Sequence, residues 1–268
     1  MASLASRLHR TWGMGRSLVV YHGIPGRQRR LRRLYRCFVK PGQLAFDLGA
    51  HVGNRTRALR ALGCRVVAVE PQPDCARLLR SCFDDSDRRK RGRRVHTHPA
   101  IGHVAVLEMA VGASSGPVSL AISERHPTLT TTSAAWLETR GADPLFARIR
   151  WNRHTTVEAT TLDLLIQRFG LPSFVKIDVE GSESEVLAGL TQPVPGLSFE
   201  FLPSALADVR LCVKRLEALG RYGYNWSSGE SYKLASADWL TGKELMDALE
   251  SADAQRRSGD VYAVLGDR

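Results

Sequence analysis

The sequence contains no run of about eighteen apolar residues, so it predicts no membrane-spanning helix. Its N-terminal segment also lacks the long uninterrupted apolar core that a secretory signal peptide needs. The five cysteines are scattered and none forms a C-x-x-C pair, which argues against a structural zinc site or a disulfide framework. Together these absences favour a reduced, cytoplasmic protein.

Acidic residues are fewer than basic ones, with 27 Asp and Glu against 38 Lys and Arg. Much of the excess lies in two runs, RQRRLRRLYR at residues 27–36 and RRKRGRR at residues 88–94. The second run has no aromatic residue to stack on bases, so it predicts a solvated loop and argues against a nucleic-acid partner. In the first run Leu31 and Leu34 stand three apart, which predicts an amphipathic helix lying on the domain.

At 268 residues the chain is long enough for one large domain with a full core. Residues 1–43 read as a basic, helical lead-in, and residues 44–268 as one folded domain. Short apolar strands alternate with amphipathic helices in the second part, which predicts an α/β fold with a mostly parallel sheet and helices on both faces. The strands are predicted at residues 44–48, 65–69, 103–111, 118–122, 157–160, 174–179, 197–202 and in the VYAVLG tail. Residues 119–154 follow no clear pattern and are the expected place for a lid over a ligand site.

The most informative segment is LAFDLGAHVGNRT at residues 44–56, an apolar strand that runs into a glycine-rich turn and a helix capped by Asn54. A second strand follows and ends at Glu70, which can accept hydrogen bonds from ribose hydroxyls. Gly49 and Gly53 allow close approach of the backbone to a ligand, but Ala50 stands where a dinucleotide fingerprint needs its second glycine. Asp47 would repel a pyrophosphate. S-adenosylmethionine, which carries a sulfonium and an ammonium, therefore fits better than NAD(P), and a NAD(P)-dependent reductase or a ligand-free turn are the alternatives.

A second unusual run is KIDVEG, where Lys176, Asp178 and Glu180 alternate along one face of a predicted buried strand. Its carboxyl end should open on the same crevice as Asp47, with Glu200 of the next strand nearby. The carboxylates could bind a divalent cation, act as general base on a substrate hydroxyl, or be neutralised by Lys176 in a structural role. Ser182 and Glu185 predict a capping box for the following helix.

These motifs carry a family resemblance. FDLGAHVGNRT, VVAVEP, AVGASSG, TTLDLL, VKIDVEGSESEVLAGL and LSFEFLP together resemble the FkbM family of S-adenosylmethionine-dependent methyltransferases over roughly residues 44–203. The resemblance implies a Rossmann-like class I methyltransferase fold, with a mostly parallel seven-stranded sheet, and methyl transfer to a hydroxyl of a small molecule or sugar. A nucleic-acid methyltransferase that uses the arginine runs is a further alternative. The sequence departs from the family at His51, where asparagine is usual.

The resemblance also implies roles for individual residues. Asp47, Gly49 and Gly53 would line the methionine part of the cofactor, Glu70 would hold the ribose, and Ala110 would lie near the adenine. Asp178 would sit where the cofactor meets the acceptor, and Asp178 and Glu180 are the predicted catalytic residues. The full predicted cofactor set is Asp47, Gly49, Ala50, His51, Gly53, Asn54, Thr56, Glu70, Pro71, Ala110 and Asp178.

Overall fold

A computed structural model of the chain describes residues 15, 24–83, 102–134, 136–138, 149–251, 254 and 257–266. The arginine run at residues 88–94 and most of the N-terminal lead-in lie outside these residues. Within the described residues, no helix is both long enough and apolar enough to cross a bilayer.

A seven-stranded sheet forms the centre of the fold, with the strand order β3-β2-β1-β7-β8-β10-β9. Its strands are β1 (Leu44–Leu48), β2 (Arg65–Val69), β3 (Val104–Leu107), β7 (Phe174–Ile177), β8 (Gly196–Phe201), β9 (Tyr222–Ser228) and β10 (Gly259–Leu265). All neighbours pair in parallel except β10, which runs antiparallel to both β8 and β9. The order reverses at β1, so the fold opens a crevice beyond the carboxyl ends of β1 and β7. The predicted Rossmann-like, mostly parallel architecture is confirmed.

Helices cover both faces of this sheet. The helices are α1 (Arg27–Tyr35), α2 (Asn54–Ala61), α3 (Pro73–Phe83), α4 (Leu162–Phe169), α5 (Glu183–Ala188), α6 (Leu206–Leu219) and α7 (Gly242–Leu249). The first three pack with Ala45 and Ala68 on one face, whereas the last four pack with Phe46 and Val67 on the other. Because successive strand residues point to opposite faces, a strand covered on both sides must be apolar at nearly every position.

A smaller sheet, in the order β4-β6-β5, lies beyond the crevice and consists of β4 (Ala110–Val111), β5 (Gly116–Ile122) and β6 (Arg153–Thr160). The sequence predicted one strand over residues 103–111, and this was wrong. β2 ends at Val69, which pairs with Leu107, so the chain has no further partner in the large sheet after that point. Ala110 and Val111 pair instead with β6, which starts four residues earlier than predicted because it runs antiparallel to the whole of β5.

The first arginine run forms α1, and Leu31 and Leu34 are buried beneath it as their spacing predicted. Arg27 is buried as well. Its Nε donates to the hydroxyl of Tyr232 at 3.1 Å, and its guanidinium pairs with Glu230. One arginine of this run therefore anchors the helix to the loop after β9.

Candidate active site

A pocket of about 870 Å³, counting its open mouth, lies beyond the carboxyl ends of β1, β2 and β7. All the predicted cofactor residues except Gly53 and Thr56 line it, and so does Glu180. The opposite wall includes Met109, Leu120 and four threonines that follow β5, Thr128, Thr130, Thr131 and Thr132. The irregular segment thus supplies one side of the pocket.

Glu70 is held at the end of β2 by two backbone donors. The N–H of His51 donates to its Oε2 at 2.7 Å, and the N–H of Gln72 donates to its Oε1 at 2.8 Å. His51 adopts a left-handed conformation, with φ 49°, which belongs to the turn that brings its N–H to the carboxylate. Burial raises the pKa of Glu70 to about 7 although both N–H groups favour the ionised form. Each carboxylate oxygen can still accept a hydrogen bond from a ligand hydroxyl.

The two glycines of the turn serve different contacts. A Cβ on Gly49 would lie 1.7 Å from the carbonyl oxygen of Asp178, so glycine lets β1 end directly against the end of β7. A Cβ on Gly53 would lie 2.5 Å from the ring of Phe83, so that glycine lets α2 pack against α3, away from the pocket. Both residues also have positive φ angles, near 76° and 79°.

Helix α2 begins one residue earlier than the predicted cap implies. Gly53 occupies the N-cap, and Asn54 is the first helical residue. The side-chain oxygen of Asn54 accepts a hydrogen bond from Gln28 Nε2 at 2.5 Å, which ties α1 to the rim of the pocket.

Asp47 is 1% exposed, and its Oδ2 accepts a hydrogen bond from Thr56 Oγ1 at 2.5 Å. Burial raises the pKa of Asp47, whereas the Thr56 hydroxyl and the charge of Arg55 oppose that rise. Thr56 therefore acts behind the pocket wall by holding Asp47.

Asp178 stands beside two buried positive groups. Lys176, which is fully buried, lies with its Nζ 3.5 Å from Asp178 Oδ2 and 2.8 Å from Asp260 Oδ1. Arg55 lies 3.6 Å from Asp178 Oδ2 and 3.4 Å from Asp260 Oδ2. Burial lowers the pKa of Lys176, but Asp178 and Asp260 outweigh it and leave that pKa above its ordinary value. In Asp260 the charges of Lys176 and Arg55 outweigh burial, so its pKa is lowered.

Sequence reasoning missed Arg55 and Asp260. Arg55 is in the first turn of α2, one residue past the predicted cap. Asp260 precedes the apolar VYAVL stretch within β10, and a carboxylate inside an otherwise buried strand was the available signal.

Three carboxylates meet beside Asp178. Single carboxylate oxygens of Asp178, Glu180 and Glu200 all lie within 4.8 Å of one another. Burial raises the pKa of Glu200 well above its ordinary value, and the neighbouring charges of Asp178 and Glu183 raise it further. Glu180 has a φ of 55°, and its carbonyl accepts a hydrogen bond from Thr131 Oγ1 at 2.7 Å.

The predicted capping box of α5 does not form. Ser182 is the N-cap residue, but its side chain makes no capping hydrogen bond. Instead the carboxylate of Glu183 accepts the N–H groups of Val179 and Gly181, each at 3.1 Å. The strand ends at Ile177, so the backbone that follows needs acceptors, and the Glu183 side chain reaches it. Burial raises the pKa of Glu183 to about 7.

The lining of the pocket is acidic where its polar groups converge, with Asp47, Glu70, Asp178 and Glu180 around it. Such a lining suits a ligand that carries positive charge and hydroxyl groups and opposes a pyrophosphate. S-adenosylmethionine has a sulfonium, an ammonium and a ribose, so the residues present fit it.

Comparison with known proteins gives the family. The model of the methyltransferase FkbM domain matches residues 47–218. No curated protein sequence matches the chain significantly.

Three solved structures illustrate the similarity. An O-methyltransferase from Bacillus cereus in complex with SAH is 12% identical, with 95% of this chain and 90% of that chain covered and a TM-score of 0.45. A precorrin-6y C5,15-methyltransferase from Geobacter metallireducens is 11% identical, with 89% of this chain and 87% of that chain covered and a TM-score of 0.44. The magnesium protoporphyrin IX methyltransferase of Synechocystis with bound SAM is 13% identical, with 94% of this chain and 84% of that chain covered and a TM-score of 0.42.

Since the FkbM model spans more than half of the chain, from the strand that ends in the glycine turn to the helix α6, the chain belongs to the FkbM family of S-adenosylmethionine-dependent methyltransferases.

Proposed function

We propose that this methyltransferase transfers its methyl group to a hydroxyl oxygen of a small molecule or sugar. The observation that carries the proposal is the Asp178 carboxylate, which lines the pocket and is 26% exposed. Its backbone N–H donates to the carbonyl of Leu48 at 3.0 Å, which holds the residue at the end of β1. A hydroxyl is a weak nucleophile until its proton is removed, so a carboxylate at this place suits an alcohol acceptor.

The cofactor roles assigned from sequence are part of the same proposal. Glu70 would accept the ribose hydroxyls, because two backbone N–H groups already orient its carboxylate. Asp47 and Asp178 would face the positively charged end of the cofactor, and Ala110 would contact the adenine. When bound, S-adenosylmethionine supplies a methyl group on a positively charged sulfur. Ala50, His51, Asn54 and Pro71 would complete the pocket wall.

Gly53 and Thr56 would then contribute indirectly. Gly53 lets α2 pack against α3, and Thr56 holds Asp47, so both shape the pocket without lining it. This differs from the direct contacts that the sequence predicted for them.

Two effects would supply the rate. Holding the acceptor oxygen in line for attack supplies the larger part, and its geometry is set by the pocket wall. Proton removal by Asp178, with Glu180 beside it, adds a factor of about 10²–10⁴. Lys176 and Arg55 keep Asp178 oriented and balance its charge.

A divalent cation at Asp178, Glu180 and Glu200 stays a prediction of the sequence. Lys176 already places a positive charge 3.5 Å from Asp178, which opposes the binding of a second cation at that carboxylate. The cytoplasmic location also stays a prediction. All five cysteines are free in the structure.

Calorimetry on the pure protein with S-adenosylmethionine and with S-adenosylhomocysteine tests the cofactor part. Transfer is tested by incubating the protein with labelled methyl donor and a small-molecule extract, and by mass spectrometry of products that gain one CH₂. We expect Asp178→Asn to lower turnover by about 10²-fold while donor affinity changes only a few-fold. Wild-type turnover in Asp178→Asn would refute the base assignment, and absence of donor binding would refute the cofactor site.

A further inference from the structure

Helix α1 and its neighbour α2 present a strongly basic surface. Residues 24–65 contain eleven Lys and Arg but a single acidic residue, Asp47, which is buried. Arg29, Arg30, Arg33 and Arg36 are exposed on α1. Among the residues that the structure describes, none of these four guanidinium groups forms an ion pair. This differs from Arg27, which is buried and paired with Glu230.

The fold itself does not require these exposed arginines. Arg29 and Arg33 are one turn apart, as are Arg33 and Arg36, so like charges repel along the helix. The first turn carries positive charge and no acidic residue, which opposes the helix dipole, whereas Arg33 in the last turn favours it. Helix α1 is stabilised by the burial of Leu31 and Leu34, and the exposed arginines do not contribute to that burial. A surface charge that works against its own helix indicates selection for a partner.

The chemistry of the surface identifies the partner. Guanidinium groups bind phosphate with paired hydrogen bonds. Every basic residue at residues 27–36 is an arginine and none is a lysine. The residues from Arg29 to Arg36 extend over about 10 Å of helix, enough to follow several charges of one strand. Membrane insertion would need an apolar face, but the apolar side of α1 is buried on the sheet.

We infer that the exposed face of α1, defined by Arg29, Arg30, Arg33 and Arg36, binds the phosphate backbone of a nucleic-acid strand without reading its sequence. The absence of aromatic residues at these positions removes aromatic stacking platforms but leaves phosphate contact open. Gln28 of the same helix bonds to Asn54 of the pocket wall, so a strand bound here lies beside the site of methyl transfer. This inference does not depend on which hydroxyl is methylated.

Fluorescence anisotropy with a labelled single-stranded RNA of about twenty nucleotides, and with DNA of the same sequence, tests the surface. We expect both to bind in a salt-dependent way, with affinities within a few-fold of each other. The triple variant Arg29→Glu, Arg33→Glu, Arg36→Glu should weaken binding roughly tenfold or more and flatten the slope of log affinity against log salt by about 2.

The matched control is Lys214→Glu, Arg221→Glu, Lys243→Glu, which changes the net charge equally. Lys214 and Lys243 lie on α6 and α7, on the other face of the sheet, and all three residues are exposed. We expect the control to bind RNA nearly as wild type does. Both variants should bind S-adenosylmethionine with wild-type affinity, because none of the six residues lines the pocket.

The inference is overturned if wild type shows no salt-dependent binding, or if the control variant loses as much affinity as the α1 variant. Binding to vesicles of phosphatidylcholine and phosphatidylglycerol with none to RNA would also overturn it. Failure of wild type to bind S-adenosylmethionine would count against the proposed function alone, because the RNA measurement is independent of the cofactor.

Discussion

At the scale of single residues, burial sets the charge of the carboxyl groups around the pocket. Glu70 is 4% exposed and its pKa is raised to about 7 from an ordinary value of 4.5. The unfolded chain therefore releases this proton at a lower pH than the folded protein does. As the pH rises from about 4.5 to 7, the folded state binds more protons than the unfolded state, so the contribution of Glu70 to the free energy of unfolding falls.

The variant Glu70→Gln tests this charge. Without cofactor, the wild type should lose up to about 3 kcal/mol of unfolding free energy relative to the variant between pH 5 and 8, measured by urea titration. Donor affinity should fall roughly tenfold or more, since the amide cannot accept two backbone N–H groups and two ribose hydroxyls. Glu158→Gln, at an exposed position of β6, should keep the wild-type pH dependence. Parallel curves for wild type and Glu70→Gln would contradict the raised pKa.

At the scale of elements, the turn between β1 and α2 decides how closely two strands approach. Gly49 and Gly42 both have positive φ angles, near 76° and 85°. Only Gly49 has a neighbour in the way of a side chain, because a Cβ at Gly42 would meet nothing within 4 Å. The two positions therefore separate the cost of the backbone conformation from the cost of the contact.

Replacing each glycine by alanine makes the comparison. Gly42→Ala should lose about 1–2 kcal/mol of unfolding free energy from its left-handed conformation alone. Gly49→Ala should lose at least about 3 kcal/mol, because the end of β7 must also move away. Calorimetry should then show weaker donor binding for Gly49→Ala only, since the displaced backbone carries Asp178. Equal losses in the two variants would mean that the contact at Gly49 is relaxed at little cost.

At the scale of the whole molecule, the site depends on a strand that lies outside the family match. Asp260 on β10 bonds to Lys176 on β7, 84 residues earlier in the chain, and the match ends at residue 218. Strand β8 separates β7 from β10, so the ion pair spans three neighbouring strands. Removing one partner leaves a buried charge without its main counter-ion.

A double-mutant cycle measures this coupling. Asp260→Asn should destabilise the protein by about 3–5 kcal/mol, because Lys176 stays charged and buried. The double variant Lys176→Met, Asp260→Asn should be more stable than Asp260→Asn alone, since neither position then holds a charge. Urea unfolding of the wild type, Lys176→Met, Asp260→Asn and the double variant gives the coupling energy. A double variant no more stable than Asp260→Asn would mean that other groups neutralise Lys176.

Local patterns in the sequence determined much of the fold. Strands β1 and β2 have the bounds that their apolar patterns predicted, because such patterns depend only on neighbours in the chain. The turn from Asp47 to Gly53 and the carboxylate of Glu70 were recognisable for the same reason. The gathering of Asp47, Glu70 and Asp178 at one pocket followed from the rule that parallel strands end at one edge.

Other features were decided by the tertiary structure, because their partners are distant in the chain. The strand predicted over residues 103–111 divides where β2 ends and β6 becomes available. Gly53 is required by Phe83, and the charge of Lys176 is balanced by Asp260 and Asp178. A sequence pattern reports which residues need a partner, whereas only the folded chain determines which partner lies within reach.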